Sequence, residues 1–274
     1  MVNHSATQNH VIFDGSAIRK TASIKGISTA FLDQGSGEAI VACHGIPTSS
    51  ALFEPLLPSL SDYRLIAPDL LGQGDTEVPA RGSLGYAAYA EHLFAFLEAV
   101  PPPTFHLVVH DFGGVLGLEW ASSHVERVKT LVVLSTTVTW SLRVGGLIYV
   151  ANLIFGTAFV RWGMRTTLRR RKTLEPSLVE SWVRPWSRRR LLRGLDHFAP
   201  SHLRRVRSKL QNLRMPVLLI WGDQDNVFPL ACASSIVKAL PQAKLVSVPQ
   251  CGHWSPLDAP EEIAQHIVTF LRSR

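Results

Sequence analysis

Cysteine is scarce: Cys43, Cys232 and Cys251 are the only three. Three scattered thiols do not make the disulfide framework of a small secreted scaffold, so a reducing compartment, the cytoplasm, is the expectation. Also missing is an uninterrupted apolar run of roughly 20 residues, the length that spans a bilayer. The most apolar stretch, residues 144–160, is broken by Asn152 and bounded by Arg143 and Arg161, which reads as a buried or interfacial helix. The polar start MVNHSATQNH has no apolar run behind a basic head, so no secretory signal is expected. No internal repeat, low-complexity tract or nucleic-acid motif is present, and no nucleic-acid partner is expected.

Hydrophobic residues make up 46% of the 274-residue chain and charged residues 18%, which suits one sizeable core rather than two equal domains. The charge is unevenly placed. Residues 161–214 hold 14 Arg and 2 Lys against Glu175, Glu180 and Asp196, a surplus of +13, which leaves −6 on the rest of a chain whose total is +7. Such a block is either a solvated helical face or a surface that attracts anions, including weak contact with a membrane surface.

Residues 17–33 read as two strands ending at Gln34-Gly35-Ser36-Gly37. Further strands are expected at 39–43, 63–67, 105–109, 128–134, 216–221 and 244–248, and helices at 86–100, 113–123 and 260–272. Strands alternating with helices imply an α/β fold, a mostly parallel twisted sheet with helices on both faces. The alternation breaks between about 138 and 212, a helical, Trp-rich, basic stretch. The division is therefore a core of residues 1–137 and 213–274 with a helical lid, 138–212, over the carboxyl ends of the strands, where such sheets bind ligands.

The central motif is Leu107-Val-Val-His-Asp111-Phe-Gly-Gly114. An apolar strand enters a sharp turn, with paired glycines just past the apex, so that the apex side chain projects while a helix starts behind it. A plainer role for Asp111 is to cap that helix. Two further motifs stand in order behind it: Trp221-Gly-Asp-Gln-Asp225 after the penultimate strand, and Gly252-His253-Trp254 after the last. Nucleophile, acid and histidine in that order, each following a strand, form a catalytic triad. Asp223 competes with Asp225 for the acid position.

These motifs, with HGIPTSS at 44–50 and APDLLGQG at 67–74, resemble the α/β-hydrolase superfamily, and within it the Asp-nucleophile branch of haloalkane dehalogenases and epoxide hydrolases. The resemblance runs from about Ser16 to the C-terminal residues and is weakest in the lid. It implies that the Asp111 carboxylate displaces halide or an epoxide oxygen from carbon, leaving an alkyl ester. His253, oriented by Asp225, then activates water against that ester. The backbone N–H groups of Ile46 and Phe112 are the implied oxyanion donors. His44 and His110 read as loop-holding residues. A small apolar organic substrate and water are the implied partners, and neither a metal nor an organic cofactor is implied.

The leaving-group machinery departs from the pattern. Where dehalogenases carry an indole after the nucleophile, this chain has Phe112, and Ile46 stands where an Asn side chain would donate. Lid residues Trp140, Trp162, Trp182 and Trp186 are candidate N–H donors, each alternatively a packing residue; Trp254, beside the histidine, is a further substrate-contact candidate. For epoxide opening Tyr149 is the candidate proton donor. Phe198 occupies the place of a second tyrosine, with His197 or His202 as substitutes or as surface histidines. Fluoroacetate dehalogenation is disfavoured because Phe112 and Val115 replace arginines. Ester or lactone hydrolysis and a non-catalytic ligand-binding role remain open alternatives.

Overall fold

The computed structural model describes residues 17–79, 83–139, 157–170, 174–185 and 196–274. Its frame is one sheet of eight strands: β1 (Arg19–Ile24), β2 (Ile27–Gln34), β3 (Glu38–Cys43), β4 (Tyr63–Pro68), β5 (Phe105–His110), β6 (Val128–Leu134), β7 (Val217–Gly222) and β8 (Lys244–Val248). Their spatial order is β1-β2-β4-β3-β5-β6-β7-β8. β2 is antiparallel to both neighbours, and the other pairings are parallel. A two-residue turn through Lys25 and Gly26, both at positive φ, closes the β1–β2 hairpin. Parallel neighbours need longer crossovers, and helices supply them.

Those helices are a 3-10 helix (Ser50–Leu60), α1 (Tyr86–Ala99) and α2 (Asp111–Ala121), then α3 (Thr157–Thr167), α4 (Pro176–Val183) and α5 (Pro200–Lys209) between β6 and β7. Beyond β7 come α6 (Leu230–Ala239), α7 (Ser255–Asp258) and α8 (Pro260–Arg272). Every residue of β5 is buried, His106 and His110 included, as its mostly apolar run implies for a central strand. One face of the sheet packs against α1, α2, α5 and α6, and the other against the 3-10 helix, α7 and α8. Trp120, Trp221 and Phe105 are fully buried, each worth about 1.5–3 kcal/mol or more of transfer free energy.

The elements between β6 and β7 straddle the sheet. Leu203 and Val206 of α5 join the core on one face, while Met164 of α3 and Trp182 of α4 join the core on the other. Two crossovers emerge that the sequence pattern had not announced, the 3-10 helix and α6, and the short α7 follows the last strand.

Candidate active site

Four strand ends converge at the carboxyl edge of the sheet. β5 delivers Asp111, β3 the His44–Ile46 turn, β7 the turn carrying Asp225, and β8 the loop carrying His253. Asp111 has φ 52, a left-handed conformation that costs a residue with a Cβ about 1–2 kcal/mol. Its backbone is held on both sides: its N–H donates to Ser135 O at 3.1 Å and its carbonyl accepts from Thr136 Oγ1 at 2.6 Å. The turn closes only because its neighbours are small. A Cβ on Gly113 would lie 2.2 Å from His44 O, and one on Gly45 would lie 2.1 Å from Asp111 Oδ1.

The Asp111 carboxylate is 4% exposed and its two oxygens have different surroundings. Oδ1 accepts from Ile46 N at 2.8 Å, whereas Oδ2 faces His253 Nε2 at 3.6 Å. That separation exceeds a good hydrogen bond but sustains strong charge attraction in a buried setting. His253 Nδ1 donates to Asp225 Oδ2 at 3.1 Å. Asp225 is fixed in turn, its Oδ1 accepting from Val227 N at 2.9 Å and Phe228 N at 2.8 Å. Asp223 is exposed and takes no part, so Asp225 is the residue at the histidine.

Burial works against a charged His253 ring, but Asp225 and Asp111 together outweigh it and lift its pKa to about 9. Burial likewise opposes ionisation of Asp111, and here the hydrogen bond and charge of His253 prevail, holding the carboxyl below its usual range. At neutral pH the resting site is therefore an imidazolium between two carboxylates.

The two flanking histidines are neutral supports. His44 donates from Nδ1 to Gly45 O at 2.7 Å and accepts at Nε2 from Leu70 N at 2.9 Å, tying the two loops that precede and follow β4. Burial lowers its pKa. His110 donates from Nε2 to the carbonyl of His253 at 3.0 Å, so the residue before the elbow grips the histidine loop. Burial, then the charge of His253, pushes its pKa down to about 4.

Above the elbow, Phe112 is fully buried in an aromatic cluster, its ring centroid 5.0 Å from His197, 5.4 Å from Phe198, 5.4 Å from Tyr89 and 6.0 Å from Tyr86. His197 is thus a buried neighbour of the elbow and not a surface histidine. His202 is not at the elbow; it stacks on Tyr86 and pairs with Asp196 at 3.1 Å. Several other candidates are committed elsewhere. The Trp182 indole donates to Ser49 Oγ at 2.8 Å and the Trp254 indole to Thr167 Oγ1 at 2.6 Å, while Trp162 is 60% exposed. None of these three indoles offers its N–H to a leaving group at Asp111. Trp140, Tyr149 and Trp186 lie outside the described residues. Among the described residues no cluster of three His, Cys, Asp or Glu side chains is arranged to hold a metal ion, and no helix is long and apolar enough to cross a membrane.

Two polar anchors escaped the sequence reading. Glu119, 6% exposed on the apolar helix α2, accepts from Tyr86 Oη and pairs with Arg205 and Lys209, each at 2.9 Å. Part of the basic block thus neutralises a buried acid and is not a solvated face. A lone glutamate in the helix GGVLGLEWA was the available signal, since a buried charge requires partners. Asp258 accepts from Arg169 N at 2.9 Å, Arg170 N at 3.0 Å and Gly252 N at 2.7 Å, clamping the end of α3 to the histidine loop.

A strained strand-to-helix turn bearing an acid, a histidine after the last strand and a second acid fixing that histidine define a hydrolase built on an α/β sheet. Residues 38–260 match the alpha/beta hydrolase fold family, and the chain belongs to it. A 2-hydroxymuconate semialdehyde hydrolase from Pseudomonas putida is 29% identical over 90% of this chain and 91% of its own length. A haloalkane dehalogenase from Sphingobium indicum is 42% identical, over 40% of this chain and 39% of its own. A cis-3-alkyl-4-alkyloxetan-2-one decarboxylase from Shewanella oneidensis is 27% identical over 92% of this chain and 88% of its own. Among solved structures, bromoperoxidase from Bacillus anthracis superposes with a TM-score of 0.80 at 22% identity, covering 93% of this chain and all of that one, a likeness of fold.

Proposed function

We propose that the protein hydrolyses a small apolar electrophile through a covalent ester on Asp111, in the manner of a haloalkane dehalogenase. The observation that carries this reading is the carboxylate at the elbow, with Oδ1 2.8 Å from Ile46 N and Oδ2 3.6 Å from His253 Nε2. Oδ2, the oxygen that faces His253, attacks the carbon. The carbon–leaving-group bond breaks and its electron pair departs with the leaving group.

Esterification removes the negative charge of Asp111. His253 then faces only Asp225, its pKa falls, and it sheds its proton and becomes a base. It takes a proton from water as the water oxygen attacks the Asp111 carboxyl carbon. The oxyanion forms on Oδ1, already at Ile46 N–H and beside Phe112 N–H. Collapse breaks the bond between the Asp111 carboxyl carbon and Oδ2, Oδ2 leaves as the oxygen of the alcohol with the proton from His253, and the water oxygen stays in the Asp111 carboxylate. In this reading α3, α4 and α5, which lie between β6 and β7, belong to the lid.

A second reading is favoured by the poverty of leaving-group donors around Phe112 among the described residues, together with the Shewanella relative. A strained four-membered lactone needs no such donor, because ring opening by Asp111 at its alkoxy carbon releases a carboxylate that spreads its own charge. The same ester on Asp111 results. For an epoxide, Phe198 offers no hydroxyl.

One experiment tests the shared step. His253→Phe is incubated with bromoalkanes, epoxides and β-lactones, followed by intact-protein mass spectrometry. An adduct on Asp111, absent in Asp111→Ala, is expected, and released halide, diol or hydroxy acid from the native protein identifies the substrate class. Single turnover in heavy-oxygen water places label in the Asp111 carboxylate. Label confined to the product refutes the covalent reading.

A further inference from the structure

Exposed residues along α3 fall on one line: Ala158, Trp162, Arg165 and, just past the helix, Arg169. Steps of four and three put Ala158, Trp162 and Arg165 on a single helical face, and Arg169 follows just beyond the end of the helix. The opposite face is buried, with Met164 and Leu168 in the core. Neighbouring cations are neutralised, Arg161 by Glu180 and Arg170 by Glu262, each at 2.7 Å. Among the described residues Arg165 and Arg169 have no carboxylate within salt-bridge distance. The stripe thus combines an indole that is 60% exposed with uncancelled positive charge.

We propose that the Trp162–Arg165–Arg169 stripe docks the protein on an anionic lipid surface. An exposed tryptophan flanked by arginines suits the headgroup boundary, where the ring enters the interface and the guanidinium groups meet phosphate. Glu119 and Glu262 cancel two of the +13 surplus over residues 161–214, and the remaining +11 adds attraction that reaches about a Debye length, ~8 Å at physiological salt. Nucleic acid is a poorer match, since the chain carries no motif for reading or tracking it. Docking here would also sit next to the chemistry. The last residue of α3, Thr167, accepts at its carbonyl from His253 N at 3.2 Å and at Oγ1 from the Trp254 indole. The proposal stands on this surface alone and does not depend on the reaction assigned to Asp111.

The test is flotation of the purified full chain with phosphatidylcholine vesicles, with and without phosphatidylglycerol. Binding to the anionic vesicles alone is expected, with release as salt is raised. Each arginine near the surface is worth about fivefold, so Arg165→Gln with Arg169→Gln lowers partitioning about 25-fold. Trp162→Ser weakens binding even at low salt. Unchanged unfolding midpoints show that the variants are folded. A native chain that does not float with anionic vesicles, or variants that float as well as it does, overturn the proposal. So does binding to duplex DNA through the same arginines without vesicle binding, which would reassign the stripe.

Discussion

Converting Asp111 to asparagine imitates the charge change that esterification brings, and it makes His253 the reporter. Folding raises the His253 pKa from 6.5 to about 9 because Asp225 and Asp111 overcome the burial that disfavours the charged ring. Since the folded ring binds its proton more tightly than the unfolded one, the stabilisation is complete below pH 6.5 and is lost as pH rises through about 9. At 1.36 kcal/mol per unit, a shift of this size corresponds to about 3 kcal/mol. The shifts of His253 and Asp111 describe one shared interaction, counted once. In Asp111→Asn only Asp225 remains, so the His253 pKa should fall, and each unit of that fall should remove about 1.4 kcal/mol of the pH-dependent stability between 6.5 and 9. NMR titration of the His253 ring, assigned against His253→Gln, measures the first, and denaturant unfolding across that pH range measures the second. A native His253 titrating at or below 6.5, or an unchanged value in Asp111→Asn, refutes the charge switch.

Gly45→Ala drives a Cβ to within 2.1 Å of Asp111 Oδ1 and should cut turnover at least about 100-fold by displacing the carboxylate, as steady-state kinetics on any accepted substrate will show. His110→Phe removes the donor on the His253 carbonyl; kcat should fall and the pH–rate profile should shift, while His110→Gln restores part of both. Phe112→Trp with Ile46→Asn supplies two leaving-group donors and should speed bromide release about 10- to 100-fold. Because Phe112 is already enclosed by aromatic rings, the same change should cost about 1–3 kcal/mol of unfolding free energy. Asp258→Ala leaves three backbone N–H groups without their acceptor and should lower stability by about 3–5 kcal/mol in denaturant titration.

The core strands were legible because burial on both faces forces continuous apolar runs, as in β5, and the site residues because each directly follows such a run. Asp225 was separable from Asp223 by motif alone, and the hydrogen bond to His253 agrees. The 3-10 helix Ser50–Leu60 was hidden by Pro55 and Pro58, which interrupt the pattern of an ordinary helix. The four-residue α7 and the small-residue α6 gave no periodicity to read. The tryptophans misled for another reason. Whether an indole N–H is free depends on partners far along the chain, 133 residues from Trp182 to Ser49 and 87 from Trp254 to Thr167, and local spacing carries no record of them.

The clamp at Asp258 also sets an order of assembly. Asp258 follows Arg170 by 88 residues, so a ribosome delivers α3 well before the side chain that holds its end. At ordinary synthesis rates the delay is roughly 4–18 s. Throughout it Met164 and Leu168 lack the part of their apolar cluster that Leu257 and Ile263 later complete. The nascent chain therefore carries α3 with its buried face partly covered and its C-terminal end unanchored until the last-made segment supplies Asp258.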